Sequence, residues 1–234
     1  MKRFFGKKNN NNIIISGDEL FHLKKVLRMK EGDKIIACID DDYDYYCNIK
    51  EIGKNDCICE IEKKELNLAN PQKDITLFQM LPKKEYIDNI IPKSIELGVN
   101  NIYFFTSKWT MNKSLKEERL NQQILTACKQ CERSKLLKAN KLLKFTEMLE
   151  YLNGFDLVLF PYENETIDNT FEPKILNNKN KIAIIIGNEA GFTDEEAIMI
   201  KNRNAKSISL GKRILRCDTA VVAVLSLVSI LSNN

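Results

Sequence analysis

Apolar and polar positions along this chain change their period near residue 70. Before it, Asn12-Ile13-Ile14-Ile15, the run 34–40, the run 45–50 and the run 56–61 alternate partially and are broken by polar turns such as Glu31-Gly32-Asp33. Short strands at this spacing predict a small β-barrel. One helical interruption is expected, because Leu20, Leu23, Val26 and Leu27 follow Ser16-Gly17-Asp18 at helical spacing. After the polar, proline-bearing stretch Asn67-Leu68-Ala69-Asn70-Pro71-Gln72, the texture changes. Continuous apolar runs of strand length occupy 75–81, 102–105, 157–160, 181–186 and 207–210, with helical sequence between them, as at 83–97 and 116–137. Such alternation predicts an α/β domain with a mostly parallel sheet buried on both faces. The expected organisation is a barrel over residues 1–70 and an α/β domain over 74–234.

Helix ends sharpen this outline. Thr193-Asp194-Glu195-Glu196 is a capping box, opening a helix directly after a glycine loop. Asp218 reads as a cap or first-turn residue of a final helix that is apolar nearly all round from Val221, so that helix belongs in the core or in a subunit interface. Pro92 stands inside the helix expected over 83–97, where its ring removes a backbone bond and predicts a kink.

The 234 residues allow one large or two modest domains, and 44% apolar with 29% charged residues is ordinary for a globular protein. A net charge of +4 is mild, so clustering of cations matters more than their total. Seven cysteines with no apolar leader after Met1-Lys2-Arg3-Phe4-Phe5 point to reduced thiols and a cytoplasmic location. Cys57-Ile58-Cys59 and Cys128-Lys129-Gln130-Cys131 lack a second CxxC pair, and the single histidine, His22, is remote in sequence; half-buried thiols are expected rather than zinc. The apolar stretch 220–231 is short for a bilayer, and no membrane role is indicated.

Two segments carry the candidate chemistry. Ile186-Gly187-Asn188-Glu189-Ala190-Gly191-Phe192 and Leu210-Gly211-Lys212-Arg213-Ile214-Leu215-Arg216-Cys217-Asp218-Thr219-Ala220 each begin where an apolar run stops at a glycine. Loops at the C-terminal ends of parallel strands are where open α/β sheets place ligands. The first loop has neither the P-loop lysine nor GxGxxG spacing, and alone it reads as a tight turn. In the second, Arg213 and Arg216 flank an Ile-Leu pair too apolar for a free surface loop. His22 reads as a packing or RNA-contacting residue rather than a catalytic base, and Trp109 as partly buried against the sheet.

These two loops resemble the I-G-P-E-G-G and L-G-x-R-I-L-R-x-E-T-A segments of the RsmE family of ribosomal-RNA uridine N3-methyltransferases, in the SPOUT superfamily. Pro92-Lys93-Ser94-Ile95-Glu96-Leu97-Gly98-Val99 is similar to its Q-K-S-I-E-L-G-V, Ala127 to Arg133 to its A-x-E-Q-x-x-R, and His22 to Arg28 to its H-x-x-x-V-L-R. The resemblance runs from about residue 3 to 225. Asn188 stands for the usual proline, Ala190 for a glycine, Lys129 for a common glutamate and Asp218 for a glutamate. Ala190 would be strained if its φ were positive.

The resemblance implies a SPOUT domain with a C-terminal trefoil knot, an N-terminal PUA-like RNA-binding barrel and a homodimer. It implies transfer of a methyl group from S-adenosylmethionine to N3 of a uridine in 16S ribosomal RNA, in the small subunit or its precursor, without a metal. Methylation at another RNA position or a ribose 2′-hydroxyl, and an RNA-binding protein with a decayed cofactor site, are the alternatives. Three strand ends are expected to build the cofactor pocket: Phe160 and Pro161; Ile186, Gly187, Asn188, Glu189 and Gly191; Leu210, Gly211, Ile214 and Leu215. Arg216 and Arg133 are the candidate cations for the developing uracil charge, with Glu189 as proton acceptor or positioning group. Phosphate contacts are expected from Arg3, Lys7, Lys8, Lys24, Lys25 and Arg28, and nearer the target from Lys83, Lys84, Arg133 and Lys135.

Overall fold

A computed structural model describes residues 1–110 and 114–232. The chain divides into two compact units, Met1–Asn70 with Leu125–Leu136, and Pro71–Ile124 with residues 137 onward.

The first unit is built on strands β1 (Lys2–Phe5), β2 (Lys7–Asn9), β3 (Asn12–Ser16), β4 (Lys34–Cys38), β5 (Tyr43–Ile52) and β6 (Asp56–Leu66), in the sheet order β1-β4-β5-β6-β3-β2. β1 and β4 are parallel and the other pairs antiparallel. Register shifts between β5 and β6, at Tyr46/Cys47 and Ile49/Glu51, add the twist that curls a sheet around its contents. Period-two alternation sends Ile13 and Ile15, Ile35 and Ala37, and Cys57 and Cys59 into one core with Phe4, Tyr45 and Ile49.

Helix α1 (Gly17–Phe21) runs into a π-helical turn at His22–Val26. The Leu27 amide bonds the His22 carbonyl, five residues back, at 3.0 Å. This wider winding keeps Leu20 and Leu23 in the core but turns Val26 outward, 57% exposed, where ordinary helical spacing had placed it on the apolar face.

Segment 125–136 is tied to this unit by polar bonds. Asn70 Nδ2 donates to Ser134 Oγ at 2.8 Å while Asn70 Oδ1 accepts from the Ser134 and Lys135 amides, and Ser134 Oγ donates to the Asp41 carbonyl. Lys129 pairs with Glu19 at 2.7 Å.

The second unit holds β7 (Asp74–Met80), β8 (Asn101–Thr106), β9 (Lys138–Ala139), β10 (Leu143–Lys144), β11 (Leu157–Pro161), β12 (Lys181–Ile186) and β13 (Lys206–Ile208). The order is β10-β8-β7-β12-β11-β13, with β9 also on β8, and every pair is parallel. The helices are α2 (Lys84–Glu96), α3 (Glu117–Gln130), whose residues from 125 belong to the first unit, α4 (Phe145–Tyr151), α5 (Asp194–Lys201) and α6 (Cys217–Ser232). α3 ends seven residues before the expected 137, since Glu132 adopts φ +66°, incompatible with helix. α2 runs through Pro92 as one helical element.

Met148 and Leu149 of α4 and Ala197 and Ile200 of α5 pack with Phe78, Phe160, Ala183 and Ile185. Ile182, Ile184 and Ile186, of opposite pleat on β12, are left for the side where α6 meets β12 and α2. On α6, Val221, Val224, Leu225 and Val228 are fully buried, whereas Ile230 is exposed.

The fold is the SPOUT type with a PUA-like N-terminal sheet. β13 lies between two passes of upstream chain: β11 pairs with it on one side, and on the other Ser209 bridges Thr170 and donates its amide to the Asn169 carbonyl at 2.8 Å. β13 thus has upstream chain on both sides, the arrangement expected of a C-terminal knot. Among the described residues, no helix is long and apolar enough to cross a membrane.

Candidate functional site

Parallel pairing puts the C-terminal ends of β12, β11 and β13 side by side, and the loops that follow enclose a pocket of about 380 Å³. That volume lies within the range of small-molecule sites. Its walls come from residues 161–163, 186–191 and 209–217, with Tyr86 of α2 and Ala220 of α6.

Local sequence explains each loop. In the first, the Gly191 amide closes a turn on the Asn188 carbonyl at 3.1 Å, and Asn188 Oδ1 accepts from the Ala190 amide at 3.0 Å. The asparagine therefore supplies by side chain the turn geometry for which the family commonly uses proline. Gly191 takes φ +67° and Ala190 does not have a positive φ, so the strain conceivable for an alanine there does not arise. In the third loop Gly211 adopts φ +106°, which an L side chain resists. Its neighbour Ile214 is 86% exposed, an apolar side chain on the pocket wall with no protein to cover it.

Gln79, fully buried at the end of β7, holds the pocket from behind. Its Nε2 donates to the Gly187 carbonyl at 2.9 Å and the Met80 carbonyl at 2.8 Å. Glu189 accepts from the Lys83 amide at 2.9 Å, at the N-terminus of α2, where a carboxylate is favoured. The Thr193–Glu196 capping box forms as expected, at 3.2 and 3.0 Å.

Lys212, Arg213 and Arg216 are exposed on the third loop, giving the pocket a basic wall. Arg216 stands where α6 begins, its carbonyl accepting the Ala220 amide at 2.8 Å. Cys217 lines the pocket too. Burial, with Glu189 and Asp218 adding to it, pushes its thiol up to about 12, so it stays neutral and is no nucleophile near pH 7.

Of the residues expected at the cofactor, Pro161, Ile186, Gly187, Asn188, Glu189, Gly191, Leu210, Gly211, Ile214 and Leu215 all line this pocket. Phe160 does not. It is fully buried, stacked on Tyr162 at 5.2 Å and edge-on to Phe192 at 5.1 Å, because strand alternation turns it away from the pocket. Tyr86, Glu163 and Ser209 also line the pocket and are not marked by their local sequence, and Cys217 joins them from within the 210–220 segment.

The expected cations divide by burial. Lys7, Lys8, Lys25 and Arg28 are exposed, as are Lys83 and Lys84. Lys24 donates to the Gly53 carbonyl and Lys135 pairs with Asp42. Arg3 faces inward, bonded to Asp44 with one contact at 3.0 Å and to the Cys38 thiol, so it is unavailable to phosphate. Arg133 is 2% exposed within the first unit, and burial lowers its guanidinium pKa. Arg133 is therefore enclosed, whereas Arg216 is exposed on the pocket wall. His22 is half-buried with its ring 6.3 Å from Phe4, a packing contact. Trp109 is 50% exposed with Lys108 Nζ 5.4 Å from its ring, more open than expected.

Known proteins give the same picture. Residues 69–229 match the model of an RNA methyltransferase domain, and residues 15–62 that of an RNA methyltransferase PUA domain. The chain is 33% identical to ribosomal RNA small subunit methyltransferase E of Buchnera aphidicola subsp. Acyrthosiphon pisum, over 93% of this chain and 88% of that one. A methyltransferase from Legionella pneumophila, solved with bound cofactor SAM, superposes with a TM-score of 0.81 at 25% identity, covering 99% of this chain and 96% of the other. A ribosomal RNA small subunit methyltransferase E from Neisseria gonorrhoeae, bound to S-adenosyl methionine, has the same fold, with a TM-score of 0.84 at 22% identity over 99% and 98% of the chains. With both domains matched and near-complete coverage, the chain belongs to the RsmE family of small-subunit ribosomal-RNA methyltransferases.

Proposed function

We propose that this protein transfers the methyl group of S-adenosylmethionine to N3 of a uridine in 16S ribosomal RNA, in the cytoplasm and as a homodimer. The observation that carries the reading is the pocket at three adjacent strand ends, walled by apolar side chains and open glycine backbone. The residues fit the cofactor: a Cβ built at Gly211 meets no atom within 4 Å, so the space beside that backbone is free for a ligand. Pro161, Ile186, Leu210, Ile214 and Leu215 offer apolar surface for an adenine ring, and backbone groups at Gly187 and Gly211 offer polar anchors. When bound, S-adenosylmethionine supplies an electrophilic methyl carbon on a sulfonium leaving group.

What remains for the chain is to orient the uracil in line and stabilise its charge. N3 must lose its proton to solvent, so negative charge builds on the uracil carbonyls as the proton leaves and drains into the new N–C bond as the C–S electron pair returns to sulfur. The Arg216 guanidinium can hold that charge more tightly in the transition state than it holds the neutral base in the ground state. Glu189 fixes the loop against α2. The exposed cations Lys25 and Arg28 supply phosphate contacts from the PUA-like domain.

The part of α6 carrying Ala223, Leu227 and Ile230 is only half-buried or exposed, and an apolar face of this kind supports assembly as a two-fold dimer. Sedimentation of the 27.0 kDa chain at micromolar concentration tests that; a fully active monomer overturns it. The activity is tested with S-adenosylmethionine and small subunits lacking the modification, mapping the product by nucleoside mass spectrometry. 3-Methyluridine at a single site is expected. A 2′-O-methyl product, or none with cofactor bound, overturns the reading.

A further inference from the structure

The pocket carries one carboxylate that the chain itself does not use. Glu163 occupies the second position of a β-turn, closed by the Glu165 amide donating to the Tyr162 carbonyl at 3.1 Å. Both flanks of the turn are anchored. Tyr162 donates its amide to the Ile208 carbonyl at 3.1 Å and its hydroxyl to Asp194 at 3.3 Å, while Glu165 pairs with Lys201 at 2.9 Å. The tip is therefore held in place, and the side chain lies over Gly191: a Cβ there would stand 2.3 Å from Glu163 Oε1. Any larger residue at 191 displaces the carboxylate from its seat.

Among the described residues, the Glu163 carboxylate makes no hydrogen bond or ion pair, although Lys212, Arg213 and Arg216 line the same pocket. The other acid there, Glu189, is engaged with the Lys83 amide. Acidic and basic groups are thus kept apart on different loops of one pocket. A ligand that separates its own charges matches such a site, and S-adenosylmethionine does so, with a sulfonium and an α-ammonium as well as an α-carboxylate.

We propose that Glu163 is the acceptor for a cationic group of the cofactor, and that residue 191 is glycine to leave that carboxylate its seat. The inference rests on the reading of this pocket as the methyl-donor site. Carboxylates also bind ribose hydroxyls, but a bond of that kind is indifferent to the charge on the methionyl arm.

Titration calorimetry with three probes decides the matter: S-adenosylmethionine carries both cations, S-adenosylhomocysteine only the ammonium, and methylthioadenosine neither. Glu163→Gln should bind S-adenosylmethionine about tenfold more weakly than wild type, about 1.4 kcal/mol, and methylthioadenosine within about twofold. An equal loss with S-adenosylhomocysteine assigns the ammonium; a loss confined to S-adenosylmethionine assigns the sulfonium. Loss with all three probes, or with none, overturns the proposal. Gly191→Ala displaces the end of a flexible side chain and also strains the backbone at φ +67°, so a thermal melt accompanies it. Gly191→Asn, whose residue type tolerates that φ, serves as a second variant. Both should reproduce the Glu163→Gln pattern, and either double variant should bind no more weakly than the matching residue-191 variant alone. Additive losses overturn the assignment of Gly191. A folded wild-type protein that binds none of the three probes overturns the methyl-donor reading itself, and this inference with it, which separates that failure from a silent Glu163→Gln.

Discussion

Gln79 offers the sharpest test of how the scaffold holds the pocket. Its side chain is fully buried and spans two carbonyls, Met80 at 2.8 Å and Gly187 at 2.9 Å, so one amide ties β7 to the first pocket loop. Gln79→Leu keeps the volume roughly and removes both donors. Each lost hydrogen bond costs about 1 kcal/mol net. Deleting Gln79 Oε1, buried without a partner, recovers up to about 1 kcal/mol of that. Net destabilisation should be about 1–2 kcal/mol, read from the urea midpoint at unchanged slope. The freed Gly187 carbonyl loosens the loop, so S-adenosylmethionine affinity should fall about tenfold. Gln79→Glu adds a signed prediction. A carboxyl at this buried position has a folded pKa above its unfolded value of about 4.3, so its stability contribution is full below that value and is lost as pH rises through the folded pKa. The variant should lie about 1 kcal/mol below wild type near about pH 4, since a protonated carboxyl donates one bond where the amide donates two, and be weakest near about pH 8. Wild-type stability and cofactor affinity in Gln79→Leu would show that the two bonds hold nothing in place.

Other outcomes follow from the site. Gly211→Val should abolish S-adenosylmethionine binding; since φ +106° strains a β-branched residue by about 1–3 kcal/mol, a thermal melt must accompany the titration, and normal binding refutes the pocket assignment. Arg216→Ala should lower single-turnover methylation about 100-fold while cofactor affinity stays within about twofold; a loss in affinity alone would make Arg216 a binding residue. Lys25→Gln and Arg28→Gln should weaken RNA binding across sequences and reduce its salt slope by about 1 each, measured by filter binding from low to physiological salt. Point substitutions serve here better than deletion of residues 1–70, which would strip segment 125–136 of the Asp41, Asn67 and Asn70 groups that bond it.

Sequence alone determined much of this protein, and for a local reason. Strand and helix periods, the linker near residue 70, the Thr193 capping box and the glycines at 187, 191 and 211 all express constraints acting within a few residues. Because parallel strands share one C-terminal edge, loops legible one at a time in the sequence fall on one edge of the sheet. Tertiary structure alone decided which charges are free and which are spent. Arg3 and Lys25 look alike in sequence, yet Arg3 is buried against Asp44 and Lys25 faces solvent. Arg133 shares its motif with the helix end but is buried, and its chain neighbours Glu132 and Ser134 bond Asn67 and Asp41. Gln79 reads as one polar residue in a strand, and Glu163 as one more acid in a loop. Their settings arise from a carbonyl 108 residues away in one case and, in the other, from the space left by the missing side chain of Gly191. Burial and pairing depend on distance in space, and only the closed fold sets that distance.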